Sequence, residues 1–300
     1  MRRNDFTVIL IVAISILISF VCVCFYIKRR RTRRAWFNKQ PIYYIVSSNE
    51  NNNYLSFWPY VKNNVEKLGM IPILIYTGRD NPKDKLKGNI IYKPCPPDLP
   101  GNHYAQIIRL FAPSLFPDQY CVIADIDSIP LKREYFTDPL MAITQKNGWV
   151  FWNDWSLGAD CDNWPMCFNL AKGSVWAEVF PYAWDKIDEV IQTWLSSRKK
   201  GSQSYFADQY FFGKYFCRWK KNNPHRFAEY YQNIYNMFIG PRAFSSEFFS
   251  RRIKTHNIQL CETLEEIEVA KRTSGVAWVS RLKDGMDKSF LKETLEVLKL

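Results

Sequence analysis

Tyr120-Cys121-Val122-Ile123-Ala124 runs directly into Asp125-Ile126-Asp127 and then into Ser128-Ile129-Pro130-Leu131. Five largely apolar residues without strong alternation read as a strand buried on both faces, as in a parallel α/β sheet. In open α/β sheets, ligands bind beyond the carboxyl ends of the strands. Two carboxylates placed there, one residue apart, are costly unless a cation or strong donors compensate them. The placement points to a divalent-metal site.

The 300 residues allow one large domain or two small ones, and a chain this long buries a core without disulfide or metal support. Phe6 to Ile27 stands apart as an apolar stretch without charge. At helical rise it spans about 33 Å, enough to cross a hydrocarbon core. A signal peptide would have a shorter apolar run and a small-residue cleavage site. The expected organisation is a transmembrane anchor with its basic flank over 1–34, a linker over 35–40 and one catalytic domain over 41–300.

Arg2 and Arg3 precede the span, whereas Lys28, Arg29, Arg30, Arg31, Arg33 and Arg34 follow it. The positive-inside rule then puts the C-terminal flank and the domain in the cytosol. The basic run also suits anionic headgroups. Residues 1–34 hold eight basic and one acidic side chain, +7 of the net +12, which leaves +5 for the rest. That remainder is ordinary for a soluble domain, and with no zinc-finger spacing no nucleic-acid partner is expected.

Cys22 and Cys24 fall in the span, where palmitoylation is possible. Cys95, Cys121, Cys161, Cys167, Cys217 and Cys261 are scattered and form no CxxC pair. Cys121, inside the buried strand, reads as a reduced core thiol, although six cysteines still allow disulfides. There is no Asn-x-Ser/Thr acceptor. Both features lean towards the cytosolic side.

Strand and helix signals alternate after residue 41. Strands are expected over 42–46, 71–76 and 90–92, with a helix over about 55–68 between the first two. Asn102 can cap a helix in which Tyr104, Ile107, Ile108 and Phe111 share one face, and Pro113 ends it. This order implies a parallel sheet with helical crossovers. Further on, strands are expected over 149–152 and 166–170 around an acidic loop, 156–165. Helices follow over 174–182, 184–197, 205–219, 264–271 and from 288 onward.

A membrane anchor, a nucleotide-binding β-α-β half, a helix bearing an exposed Arg and a strand ending in Asp-x-Asp together resemble the GT-A glycosyltransferases. The stretch Gln106-Ile107-Ile108-Arg109-Leu110 through Val122-Ile123-Ala124-Asp125-Ile126-Asp127 is most like the DxD enzymes related to glycogenin and the lipopolysaccharide galactosyltransferases. The resemblance implies an α/β fold of GT-A (nucleotide-diphospho-sugar transferase) type: a Rossmann-like mixed sheet with flanking helices, preceded by one transmembrane helix. It implies a hexosyl- or pentosyltransferase that takes a nucleotide-diphosphate sugar and glycosylates a saccharide, glycoprotein or glycolipid. The family habit is a luminal type II domain in the Golgi or ER, which opposes the cytosolic reading from charge.

In such an enzyme a hard cation, Mn²⁺ or Mg²⁺, stabilises the charge that grows on the leaving diphosphate. By resemblance Asp127 binds metal directly, and Asp125 binds metal or the ribose. His256 is the candidate third ligand. Ser47 and Asn49, at the exit of the first strand, are candidates for holding base and ribose. Arg109, opposite the apolar face of its helix, is a candidate for the diphosphate, and Asn169 for the sugar hydroxyls. Asp208 and Asp154 are the candidate catalytic carboxylates. Trp149, Trp152, Trp155 and Trp164 surround the acidic loop, and one or two of them could line an acceptor groove. Two alternatives use the same residues. One is a haloacid-dehalogenase-type phosphatase with Asp125 as nucleophile; the other is a non-catalytic membrane-anchored binding protein.

Overall fold

Asp-x-Asp stands at the rim of the larger of two sheets. The computed structural model describes residues 3–82, 86–140, 147–153, 161, 164–197, 207–231, 257–260, 272 and 274–278. The chain divides into two units, Met1–Gln40 and Pro41–Leu300.

The first unit is one helix, α1 (Arg3–Lys39). Its described apolar side chains between Ile14 and Ile27 are exposed. Among the described residues no helix is long and apolar enough to cross a membrane. The apolar stretch of the sequence includes residues 6–13, whose side chains lie outside the described ones.

In the second unit, seven strands form the main sheet: β1 (Ile42–Ser48), β2 (Ile71–Tyr76), β3 (Asn89–Tyr92), β4 (Tyr120–Ile123), β6 (Trp149–Asn153), β7 (Asn169–Lys172) and β8 (Phe227–Tyr231). Their order is β3-β2-β1-β4-β7-β6-β8. The pairs β3/β2, β2/β1, β1/β4 and β6/β8 are parallel, and β7 is antiparallel to both of its neighbours. Only β7 is reversed, so every other strand sends its carboxyl end to one edge. A second sheet of order β5-β10-β9 joins β5 (Ser128–Pro130), β9 (Asn257–Leu260) and β10 (Ser274–Trp278).

β4 is buried along its whole length, as its unalternating apolar sequence requires. The helix expected over 55–68 is α3 (Trp58–Lys67), and a separate short helix, α2 (Asn52–Leu55), precedes it. Pro59 accounts for the break, because it cannot donate to the carbonyl of Leu55 but suits a helical first turn. α4 (Gly101–Ile108) starts at Gly101 with Pro100 in the capping position, so Asn102 lies inside the first turn rather than capping it. Its buried face holds Tyr104, Ala105, Ile107 and Ile108.

The expected strand over 166–170 begins three residues later, at Asn169, because Pro165 and Met166 give their carbonyls to the Asn169 side chain. α5 (Glu134–Leu140), β5, β8, β9 and β10 had no expected counterpart. The helices expected over 264–271 and from 288 onward lie outside the described residues.

The helices on the far half of the sheet are α6 (Gly173–Val179), α7 (Ile187–Ser196) and α8 (Ala207–Asn222). They enclose an aromatic core in which Trp149 packs on Trp176 and Phe216, with ring centroids 4.2 and 4.7 Å apart. Trp194 stacks on Phe211 at 4.5 Å. Trp149 and Trp164 belong to this core and are buried. The side chains of Trp152 and Trp155 lie outside the described residues.

Gly173 makes the turn from β7 into α6. Its N–H donates to Gln119 O, and Ser174 N–H to Pro117 O, both at 2.9 Å. A Cβ at Gly173 would fall well inside contact distance of the carbonyl oxygens of Pro113 and Phe116. Backbone cannot rotate aside as a side chain can, so Gly173→Ala is expected to cost about 1–3 kcal/mol. Urea denaturation should show the lower midpoint; an unchanged midpoint would mean that this junction is loosely packed.

Candidate functional site

The site begins where β4 ends. Ala124 N–H still pairs with Ile45 O at 3.0 Å, and then the chain turns, with Ser128 N–H bonding to Asp125 O at 3.0 Å. From β1 below, Tyr44 Oη donates to Ser128 O at 2.7 Å. This turn separates the two carboxylates. Asp127 is buried, while the Asp125 side chain keeps 34% of its surface exposed.

Arg109 is the surprise of the site. Read off a helical wheel it faces solvent, yet it is only 5% exposed. α4 ends at Ile108, and Arg109 follows with helical backbone angles, so the wheel places it correctly on the helix. What covers it comes from elsewhere in the chain: the β4 exit and the first turn of α8 supply partners to its guanidinium. The Arg109 side chain turns inward, beneath Asp-x-Asp.

Each of its three guanidinium nitrogens donates. Nη1 donates to Asp125 Oδ1 at 2.5 Å and to Ala124 O at 2.9 Å. Nη2 donates to Asp208 Oδ2 at 3.1 Å, and Nε to Gln106 O at 3.1 Å. Asp208 sits in the first turn of α8, buried, and its Oδ1 accepts the N–H of Gln209 at 2.8 Å. A single cation thus ties the exit of β4 to the start of α8.

The two carboxylates respond differently. Burial pushes the Asp125 carboxyl up, but the Arg109 charge and its hydrogen bond outweigh it, and the net shift is downward. For Asp208 burial prevails: Arg109 opposes it, but the nearby Asp125 charge adds to it, and the carboxyl is raised. Asp125 is therefore the firmly ionised member and Asp208 the one that protonates more readily.

At the neighbouring exit of β1, Ser47 Oγ donates to Ala105 O at 2.5 Å and fastens α4 to the strand end. Asn49 Oδ1 accepts the N–H of Asn51 at 3.1 Å, a local turn of the kind Asn favours. Ser47, Asn49, Arg109, Asp125, Asp127 and Asp208 thus gather at the one carboxyl edge of the sheet. Asn169 does not join them. It is fully buried, accepting from Trp149 Nε1 at 3.0 Å and Trp164 Nε1 at 3.4 Å and donating to Pro165 O and Met166 O. Its amide is saturated and holds the turn into β7 instead of facing a ligand.

Asp154 and His256 lie outside the described residues. Among the described residues, no group of three or more His, Cys, Asp or Glu is placed to hold a metal. Two features had no signal in the sequence. Cys167 accepts the Asp125 N–H on its sulfur at 3.0 Å. Cys161 and Cys217, read among scattered thiols, form a disulfide with Cα atoms 5.7 Å apart. The disulfide, with the Trp164 N–H bond to Gln209 O at 3.1 Å, straps the chain ahead of β7 to α8.

No protein-family model and no curated protein matches the chain. Among solved structures it is similar to the galactosyltransferase LgtC in complex with donor and acceptor sugar analogs. Identity is 13%, over 71% of this chain and 84% of that one, with a TM-score of 0.37. An active-site mutant of LgtC is similar at 11% identity, over 86% of this chain and 95% of that one, with a TM-score of 0.42. Likeness this remote leaves the chemistry to be read from the site itself.

The clamp can be tested by stability. Arg109→Met strands two carboxylates in a largely buried place and should destabilise by about 3–5 kcal/mol. Adding Asp208→Leu should recover a substantial part of the loss, because the stranded charge goes with it. Strict additivity in the double-mutant cycle would show that Arg109 and Asp208 do not interact.

Proposed function

We propose that this chain is a glycosyltransferase of GT-A type, moving a hexose or pentose from a nucleoside-diphosphate donor to a hydroxyl of a saccharide, glycoprotein or glycolipid. The observation that carries it is the convergence of Asp125, Asp127, Arg109 and Asp208 at the carboxyl edge of a largely parallel sheet. That edge is where such sheets bind nucleotides.

The donor set at the edge is all oxygen, which suits a hard cation such as Mn²⁺ or Mg²⁺. Asp125 and Asp127 would hold it, and two carboxylates suffice where substrate phosphates complete the shell. Such an ion, when bound, supplies Lewis-acid stabilisation of the departing diphosphate. His256 stays the candidate further ligand.

Arg109 fixes Asp125 and answers the charge of Asp208. Both oxygens of Asp208 are engaged, so its contribution is to hold Arg109 in register and to shape the floor of the site. That argues for Asp208 as a positioning and electrostatic group over a free base at the acceptor, and leaves Asp154 as the candidate base. Ser47 and Asn49 border the base and ribose side. The phosphatase alternative needs Asp125 poised for in-line attack, whereas Arg109 occupies its Oδ1.

A screen of sugar nucleotides for Mn²⁺- or Mg²⁺-dependent hydrolysis tests the reading directly. With the active donor in hand, Asp127→Asn should lower turnover by about 100-fold or more, the scale on which lost electrostatic stabilisation is felt. Metal-dependent turnover at the wild-type rate in that variant would sink the assignment, as would a donor screen with no active member.

The N-terminal helix is proposed as the membrane anchor, supported by the charge-free stretch Phe6–Ile27 and its basic flank. For the compartment, one observation favours the luminal type II arrangement over the cytosolic one. Disulfides persist in oxidising compartments, and Cys161–Cys217 is such a bond. Peptide mapping of the full chain isolated from cells under alkylating, non-reducing conditions should recover the linked pair. Two free thiols, together with protease access to the domain in intact vesicles, would restore the cytosolic reading.

A further inference from the structure

Beside the carboxylates, one nucleophilic group has no part in the proposed reaction. Cys167 precedes β7 and meets Asp125 there: its sulfur accepts the Asp125 N–H at 3.0 Å. The contact is long-range in sequence, crossing from the segment before β7 to the turn after β4.

The surroundings hold the thiol there. The next residue, Phe168, is fully buried among Tyr44, Tyr135 and Phe136, with ring centroids 6.4, 5.7 and 5.4 Å away. Tyr44 is the residue that also grips Ser128 O, at the end of the Asp-x-Asp turn. Two residues on, Asn169 locks the backbone through its four hydrogen bonds. Cys167 is thus set between two anchors and has little freedom to leave Asp125.

We propose that Cys167 is a positioning residue for Asp125. Arg109 takes Oδ1, and Cys167 fixes the Asp125 backbone from the β7 side. The exposed third of the Asp125 side chain is thereby left facing outward for a cation and the donor diphosphate. This rests on the reading of Asp125 as a metal-binding carboxylate. Partners that orient a ligating carboxylate are worth about 10–100-fold in metal affinity.

The test compares Cys167→Ala, Cys167→Val and Cys167→Ser in the full chain. Manganese binding in the presence of a nucleoside diphosphate is measured by calorimetry, and exchange of the Asp125 amide hydrogen by mass spectrometry. Alanine and valine should each weaken Mn²⁺ binding by about 10-fold or more and speed Asp125 amide exchange, while serine should recover most of both. Valine fills the space without the hydrogen bond, so wild-type Mn²⁺ affinity and exchange in that variant would reduce Cys167 to packing and overturn the proposal. The exchange arm needs no turnover. If the wild type binds no Mn²⁺ with any nucleoside diphosphate, the transferase reading falls, and Asp125 exchange still decides whether Cys167 positions the turn.

Discussion

A guanidinium buried between two carboxylates organises everything around this site. Arg109 is almost without solvent contact, and an isolated cation in such a place would cost several kcal/mol in lost hydration. It is tolerable only because Asp125, Asp208 and the carbonyls of Ala124 and Gln106 receive its donors. The requirement runs both ways. The β4 exit, the end of α4 and the first turn of α8 must all be in place for any one of them to be stable. Three elements far apart in sequence are made interdependent by one side chain.

The rest of the fold supplies the frame for that contact. Parallel strands β1 and β4 end side by side, so the loops carrying Ser47, Asn49, Asp125 and Asp127 emerge on one edge. Reversed β7 brings its amino end to the same edge, pairing Asn169 with Ile123 and bringing Cys167 to Asp125. Aromatic packing of Trp149, Trp176 and Phe216 then seats α8 on the sheet. Each large side chain buried there contributes about 1.5–3 kcal/mol. A well-packed helix is what allows Asp208 to present one carboxylate oxygen to Arg109 and the other to its own first turn.

Legibility in the sequence followed the range of the forces involved. β2 stands where its apolar run puts it, and β4 matches to one residue, because burial on two faces leaves a local imprint. β5, β8, β9 and β10 escaped notice, since short strands at a second sheet or a sheet edge depend on partners distant in the chain. Arg109 misled for a definable reason: a helical wheel shows one helix alone, and here the β4 exit and α8 cover the face it leaves open. Asn169 misled because a polar residue on an otherwise apolar strand reads as a ligand contact, whereas two indole N–H groups and two carbonyls supply its partners internally. The Cys161–Cys217 link has no local signature at a separation of 56 residues.

Asp-x-Asp itself carries less geometry than its spacing suggests. In an extended strand, residues two apart share a face, and both carboxylates would point the same way. Here the strand ends at Ile123 and the chain turns between Asp125 and Ser128. The pair is therefore divided into a buried Asp127 and a partly open Asp125, whose ionised form is secured by Arg109 against the pull of burial. Asp208 shares the same cation but, lying deeper, is pushed the other way. Of the two carboxylates that share Arg109, Asp125 is thus the ionised, partly open one and Asp208 the buried one that protonates more readily. The division of labour at this site is thus set by the turn and by what lies beneath it, and the motif marks only where to look.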